Sequence, residues 1–186
     1  MEDSEVLFAG FGGQGMLLAG KVLAQAAMRE GMEVSWLPSY GPEMRGGTAN
    51  VMVCFSSKPI GSPLISSPRA LLVMNLPSLE KFSPNVKPGG LIVINESMID
   101  RGADREDCTE VKVAARELAT EAGTDRSANF VMLGTYIGAS QAMPAKSIEW
   151  AIEHEFTGRK AKFAPINIGA FQAGLAIGQQ AAVVRS

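Results

Sequence analysis

The sequence predicts a three-layer α/β fold, a mostly parallel sheet with helices on both faces. Three observations carry this. Short apolar runs rich in Val, Leu and Ile recur without clean alternation, as in parallel strands buried on both faces. Helical stretches stand between and after them. The first run ends in Gly10-Phe11-Gly12-Gly13-Gln14-Gly15, where glycines open a helix.

Val6 to Ala9 reads as the first buried strand. Gly15 to Arg29 is rich in Leu, Ala and Met and reads as a helix. Lys21 is its only charge before Arg29, so most of its circumference is expected to be covered. Gly31 is its stop. Glu33–Leu37, Asn50–Phe55, Ala70–Met74 and Leu91–Ile94 are further strands. Thr109–Val113 is a shorter one that leads into a helix reaching about Ala122. Pro38 to Thr48 and Ser56 to Arg69 show no helical period; loops that long are functional, or else a sign that the flanking elements are misread.

Three helices close the chain. Ala128–Ser140 is apolar, with Ser127 or Asn129 as its cap. Lys146–Phe156 is amphipathic, with Ile148, Ala151 and Ile152 opposite Glu149, Glu153 and Glu155. Ile166–Val184 is apolar again. The first and last of these carry glycines four apart, Gly134 with Gly138 and Gly174 with Gly178. A helix apolar all round needs burial all round. The stripes are therefore expected to meet a protein partner, a second copy of the chain when isolated; packing on the domain's own sheet is the alternative.

Composition narrows the function classes. The 186 residues suit one domain, 1–186. With 46% apolar and 19% charged residues the chain is globular. A net charge of -2 without a basic block argues against nucleic acid. The uncharged run from Phe163 to Val184 holds Pro165, Asn167, Gln172, Gln179 and Gln180, which favours a buried helix over a membrane span. The acidic Met-Glu-Asp-Ser-Glu start lacks the positive charge of a signal peptide, so a reducing cytoplasmic setting is expected. Cys54 and Cys108 then stay thiols, a disulfide being the alternative. One His and two Cys cannot build a four-thiolate cluster or a closed zinc site, so no metal is assigned to this chain.

Gly10, Gly12, Gly13 and Gly15 form the first candidate site. Glycines let a ligand approach the backbone, and the helix start offers free N–H groups to an anion. Gln14 adds an amide. A dinucleotide site also wants an acid at the end of the second strand. That end reads Ser35-Trp36-Leu37-Pro38-Ser39, and Glu33 is at the wrong end. A dehydrogenase-type nucleotide domain is thus a rival reading, and a turn that only packs is another. The second candidate site is Tyr40-Gly41-Pro42-Glu43-Met44-Arg45-Gly46-Gly47-Thr48, expected at the same sheet edge. Arg45 can clamp a phosphate or carboxylate, with Glu43 to orient it; a Glu43–Arg45 pair that stiffens the loop is the alternative. His154, between Glu153 and Glu155, reads as solvated surface, as does Asp100 to Asp107. No catalytic residue is assigned.

The two long motifs together resemble the gamma subunit of 2-oxoacid:ferredoxin oxidoreductases, with the 2-oxoglutarate branch nearest. The likeness extends through Pro59-Ile60-Gly61-Ser62-Pro63, Met74-Asn75-Leu76-Pro77-Ser78-Leu79, Lys87-Pro88-Gly89-Gly90 and Asn167-Ile168-Gly169-Ala170-Phe171. It implies a Rossmann-like domain in a cytoplasmic complex that decarboxylates a 2-oxoacid with thiamine diphosphate. The acyl group goes to coenzyme A and electrons pass through iron–sulfur clusters to ferredoxin. In that family thiamine diphosphate lies on alpha and beta subunits and clusters lie on beta or a ferredoxin-like delta subunit. This chain is then inactive alone, and Gly10, Gly12, Gly13, Gln14, Gly15, Tyr40, Glu43, Arg45, Gly46 and Gly47 are expected to face the shared cleft and bind coenzyme A or position the 2-oxoacid. An indolepyruvate or branched-chain oxoacid enzyme, and a pure assembly scaffold, are the other readings.

Overall fold

In the computed structural model, which describes residues 4–40 and 48–183, the strands form one sheet. They are β1 (Ser4–Phe11), β2 (Glu33–Tyr40), β3 (Thr48–Ser56), β4 (Ala70–Val73), β5 (Leu91–Asn95) and β6 (Thr109–Val113), in the order β2-β3-β1-β4-β5-β6. β1, β4, β5 and β6 run parallel. β3 is antiparallel to both β1 and β2, so β2 points the same way as β1.

β3 thus departs from the expected parallel arrangement. A strand buried on both faces reads the same in either direction, and connection length decides which it takes. Strands ending at Leu37 and starting at Asn50 would leave residues 38–49 between them, about the dozen that a crossover needs. β2 in fact continues through Pro38 to Tyr40, leaving only residues 41–47, enough for a hairpin but not for a parallel return. Pro38 is tolerated because β2 is an edge strand.

The helices are α1 (Met16–Arg29), α2 (Leu76–Phe82), α3 (Ala115–Ala122), α4 (Ala128–Ser140), α5 (Ala145–Glu155) and α6 (Ala164–Val183). α2 has no counterpart in the sequence reading because its 7 residues are too few to show a period. It is set by its start instead: Asn75 Oδ1 accepts from Ser78 N–H at 2.9 Å, and Pro77 sits in the first turn. α6 starts earlier than Ile166, with Pro165 in its first turn; Val184 lies outside the described residues.

Alternation along β1 feeds two cores. Val6 and Phe8 join Val51, Val53, Phe55, Leu72 and Val93 beneath α1 and α4. Leu7 and Ala9 join Leu71, Val73, Ile92, Ile94 and Leu79 of α2 on the other face. The helical layers are therefore unequal, with α2 alone on one side. Every residue of α4 from Ala128 to Gly138 is buried, because α6 covers the side that the sheet does not.

The glycine stripes meet each other rather than a partner. A Cβ at Gly134 would lie 2.0 Å from Phe171 O, and one at Gly174 would lie 2.0 Å from Val131 O. Gly138 and Gly178 stand likewise against Leu175 O and Thr135 O, at 2.3 and 2.2 Å. The reason is geometric: glycines four apart on two helices let both backbones approach, and α4 found its match in the same chain. Exposed Gln172, Ala176, Gln179 and Gln180 line the outer side of α6.

The proposed caps of α4 also do other work. Ser127 sits at the N-cap, but its hydroxyl donates to Asn167 Oδ1 of α6 at 2.6 Å. Asn129 Nδ2 donates to Gly15 O at 2.9 Å, tying α4 to the glycine turn. His154 is exposed in the last turn of α5, its ring stacked on Trp150 at 5.0 Å between centroids. In the 100–107 loop, Arg105 does more than face solvent: it grips Asp107 and donates to Ser83 O and Val86 O. Among the described residues no helix is long and apolar enough to cross a membrane.

Tyr136 of α4 is fully buried, its hydroxyl 3.3 Å from Ser4 Oγ. Burial pushes its pKa up to about 12. Its folded pKa exceeds the unfolded value of about 10, so its contribution is complete below pH 10 and is lost as pH rises toward 12. Denaturant unfolding at pH 8 and pH 11.5 should show an alkaline loss on the order of 2 kcal/mol that Tyr136→Phe lacks. An equal loss in the variant would remove Tyr136 as the cause.

Candidate functional site: the glycine turn and its cleft

The turn after β1 is built by two glycines with positive φ, Gly13 at 95° and Gly15 at 76°. An L side chain would be strained at either. Gln14 N–H donates to Phe11 O at 3.2 Å, and Gln14 Oε1 accepts from Phe11 N–H at 2.6 Å. That oxygen also explains Gly10, where a Cβ would lie 2.6 Å from it. Gln14 is thus half committed to closing the turn, and its Nε2 hydrogens are what it can offer a ligand. Gly15 caps α1, and a Cβ there would lie 2.7 Å from Asn129 Nδ2. Gly12 and Gly13 are exposed.

The register brings the second motif to the same edge. Ala49 of β3 pairs with Gly10 of β1 on one side and with Tyr40 of β2 on the other. Gly10, where the turn begins, and Tyr40, the last described residue before 41–47, therefore stand in one row of the sheet, two strand spacings or about 10 Å apart. Glu43, Arg45, Gly46 and Gly47 lie outside the described residues. Glu33 opens β2, opposite Ser56 and far from this edge, so among the described residues no acid stands at the end of β2, where a dinucleotide's ribose would need one.

Beside the turn is a cleft of about 500 Å³. It is bounded by Gly13 and Gln14 after β1, Met74 after β4, Asn95 at the end of β5, Arg116 in the first turn of α3 and Arg126 before α4. Sequence reasoning missed Arg116 and Arg126. Each is a single cation in an unremarkable polar stretch, and only the strand order brings them to the glycine turn. A larger cavity of about 610 Å³ lies at the opposite edge, between Ser4, Arg69, Lys87 and Gln141. Open α/β sheets bind ligands at the carboxyl ends of their strands, which is where the smaller cleft sits.

The thiols contribute no site. Cys54 in β3 is buried, and burial, then Glu5, push its thiol up from the ordinary range. Burial raises Cys108 as well. Both are free, and among the described residues no group of three or more His, Cys, Asp or Glu is placed to hold a metal. A cluster held by four thiolates does not fit this donor set.

Comparison with known proteins agrees with the motifs. The family model described as "Pyruvate ferredoxin/flavodoxin oxidoreductase" matches residues 5–177. Ketoisovalerate oxidoreductase subunit VorA of Methanothermobacter marburgensis is 41% identical over 173 residues, covering 92% of this chain and 36% of that protein. The chain thus spans about a third of that relative's length. The 2-oxoglutarate synthase subunit KorC of the same organism is 33% identical over 178 residues, covering 91% of this chain and 94% of that one. The gamma subunit of a keto/oxoacid ferredoxin oxidoreductase from Geobacter sulfurreducens superposes with TM-score 0.82 at 26% identity, covering 95% and 99% of the two chains. The 2-oxoglutarate:ferredoxin oxidoreductase of Magnetococcus marinus, solved with 2-oxoglutarate, coenzyme A and succinyl-CoA bound, shares the fold with TM-score 0.86 at 24% identity, over 97% of this chain and 32% of that one. With the match running from the first strand into the last helix, this chain belongs to the pyruvate ferredoxin/flavodoxin oxidoreductase family.

Proposed function

We propose that the chain is the gamma-type part of a thiamine-diphosphate-dependent 2-oxoacid:ferredoxin oxidoreductase. The whole complex converts a 2-oxoacid, 2-oxoglutarate in the first reading, and coenzyme A to an acyl-CoA and carbon dioxide while ferredoxin takes the electrons. Alpha and beta partner subunits carry thiamine diphosphate, which stabilises the carbanion left by decarboxylation. The clusters sit on beta or a ferredoxin-like delta subunit. This chain's own part is to bind an anionic group of coenzyme A with the Gly10–Gly15 turn and with Arg45, steadied by Glu43 and given room by Gly46 and Gly47. The observation that supports the reading is the row Gly10–Ala49–Tyr40 across β1, β3 and β2, which sets the residues that precede the two motif segments at one edge of the sheet.

A branched-chain 2-oxoacid is the second reading, favoured by the 41% identity to a ketoisovalerate oxidoreductase subunit. A complex purified through a tag on this chain decides between them. Reduction of a viologen dye should be fastest with 2-oxoglutarate and should require coenzyme A in multiple turnovers. Preference for 3-methyl-2-oxobutanoate supports the second reading, and no oxidation of any 2-oxoacid refutes both.

A further inference from the structure

We propose that the cavity at the amino ends of the parallel strands is a second binding site, for a small phosphate monoester with a hydroxylated body. The proposal does not rest on the coenzyme A reading, because the cavity lies at the end of the sheet opposite the glycine turn.

The first observation is convergence. Ser4, Ala70, Leu91 and Thr109 are the first residues of β1, β4, β5 and β6, and all four line this cavity of about 610 Å³. The run Lys87-Pro88-Gly89-Gly90, which has no part in the proposed function, leads into β5 and forms one wall. Ser140 and Gln141 at the end of α4 form another.

The second is charge. The lining holds Arg69 and Lys87 and no carboxylate, in a protein whose net charge is -2. Arg69 is exposed and makes no ion pair among the described residues. Lys87 is paired with Glu5, which is not part of the lining, and an ammonium with one such partner still has hydrogens to donate. The carboxyl end of α4 carries the negative pole of its dipole. An anion therefore belongs on the Arg69–Lys87 side, and neutral hydroxyls belong on the α4 side.

The third is the polar floor. Tyr136 is buried, its hydroxyl 3.3 Å from Ser4 Oγ, and Thr109 and Ser140 bring further hydroxyls to the lining. Gln141 has a φ of 51°, at a helix end where Gly or Asn is usual. An amide side chain is thus kept on the cavity wall at a conformational cost. The volume exceeds what a phosphate ion alone fills and lies within the usual range for a small-molecule site. A guanidinium fork beside an ammonium suits the phosphoryl group, and the hydroxyls and the amide suit the hydroxyls of the ester.

Amide NMR shifts of the full chain at constant ionic strength test the site with glucose 6-phosphate, glycerol 3-phosphate, inorganic phosphate and glucose. Both esters should bind saturably and shift Gly89, Gly90, Thr109 and Gln141. Inorganic phosphate should bind more weakly at the same residues, and glucose should not saturate. Arg69→Ala should weaken ester binding about tenfold to over a hundredfold, and Arg69→Lys should recover part of it. Glu5→Gln, which releases Lys87, should tighten binding by up to about fivefold. Gln141→Gly should weaken binding several-fold while the melting temperature holds or rises, because that backbone conformation suits glycine. Inorganic phosphate bound as tightly as the esters overturns the ester assignment. No saturable binding by either ester, shifts confined to the glycine turn, or binding unchanged in Arg69→Ala overturns the site.

Discussion

Gly174→Leu is expected to cost at least about 3 kcal/mol, a large share of the 5–15 kcal/mol that stabilises a typical domain. The site has no give. A single Cβ there already reaches 2.0 Å from Val131 O, and the atom in the way is backbone rather than the end of a flexible side chain. Relief requires α6 to move off α4, and α4 is the most buried helix of the protein. The loss would therefore spread to Phe130, Leu133 and Ile137, which α4 places in the main core. Gly169 on the same helix is the control. Its Cβ would touch only Ala122 Cβ at 3.8 Å, so Gly169→Ala should be neutral or stabilising by up to about 1 kcal/mol, the helix propensity difference. Thermal unfolding followed by circular dichroism measures both. A Gly174→Leu chain that melts like wild type but associates less would restore the stripe to a partner-facing role.

Arg45→Ala in the assembled complex should raise the Michaelis constant for coenzyme A about tenfold to over a hundredfold, the worth of one charge-assisted hydrogen bond of about 1.5–3 kcal/mol. Arg45→Lys should recover only part, because an ammonium cannot make the two-pronged contact of a guanidinium. Electron transfer to dye in a single turnover without coenzyme A should survive, since the change removes binding to the acyl acceptor alone. Steady-state kinetics against coenzyme A concentration, read beside that single turnover, make the distinction. Wild-type coenzyme A kinetics in a complex that no longer assembles would make Arg45 a structural residue.

Much of this architecture is written locally. The apolar runs of β1, β4 and β5, the Val111 and Val113 alternation of β6 and the long helices α1 and α4 can be read directly, because each carries its own pattern of burial. What the sequence hides is pairing. The direction of β3 depends on where β2 ends, and Pro38 made that end look three residues too early. The mutual packing of Gly134 and Gly174 depends on α4 and α6 finding each other, which neither helix announces alone. The same holds for the site. The glycine turn is legible because positive φ selects Gly13 and Gly15. Arg116 and Arg126 are illegible because their placement comes from strand order. The sequence offers Ser127 or Asn129 as the cap of α4, whereas the Asn129 amide donates to Gly15 O, distant in sequence.

Reconstitution tests the central claim most directly. Partner subunits purified without this chain are mixed with 2-oxoacid, coenzyme A and a viologen dye, and the chain is then titrated back. Dye reduction and acyl-CoA formation should be absent or slight before addition, rise with the chain to a stoichiometric end point, and be undetectable with the chain alone. Full turnover by the partners without it, or turnover by this chain free of them, would contradict the account.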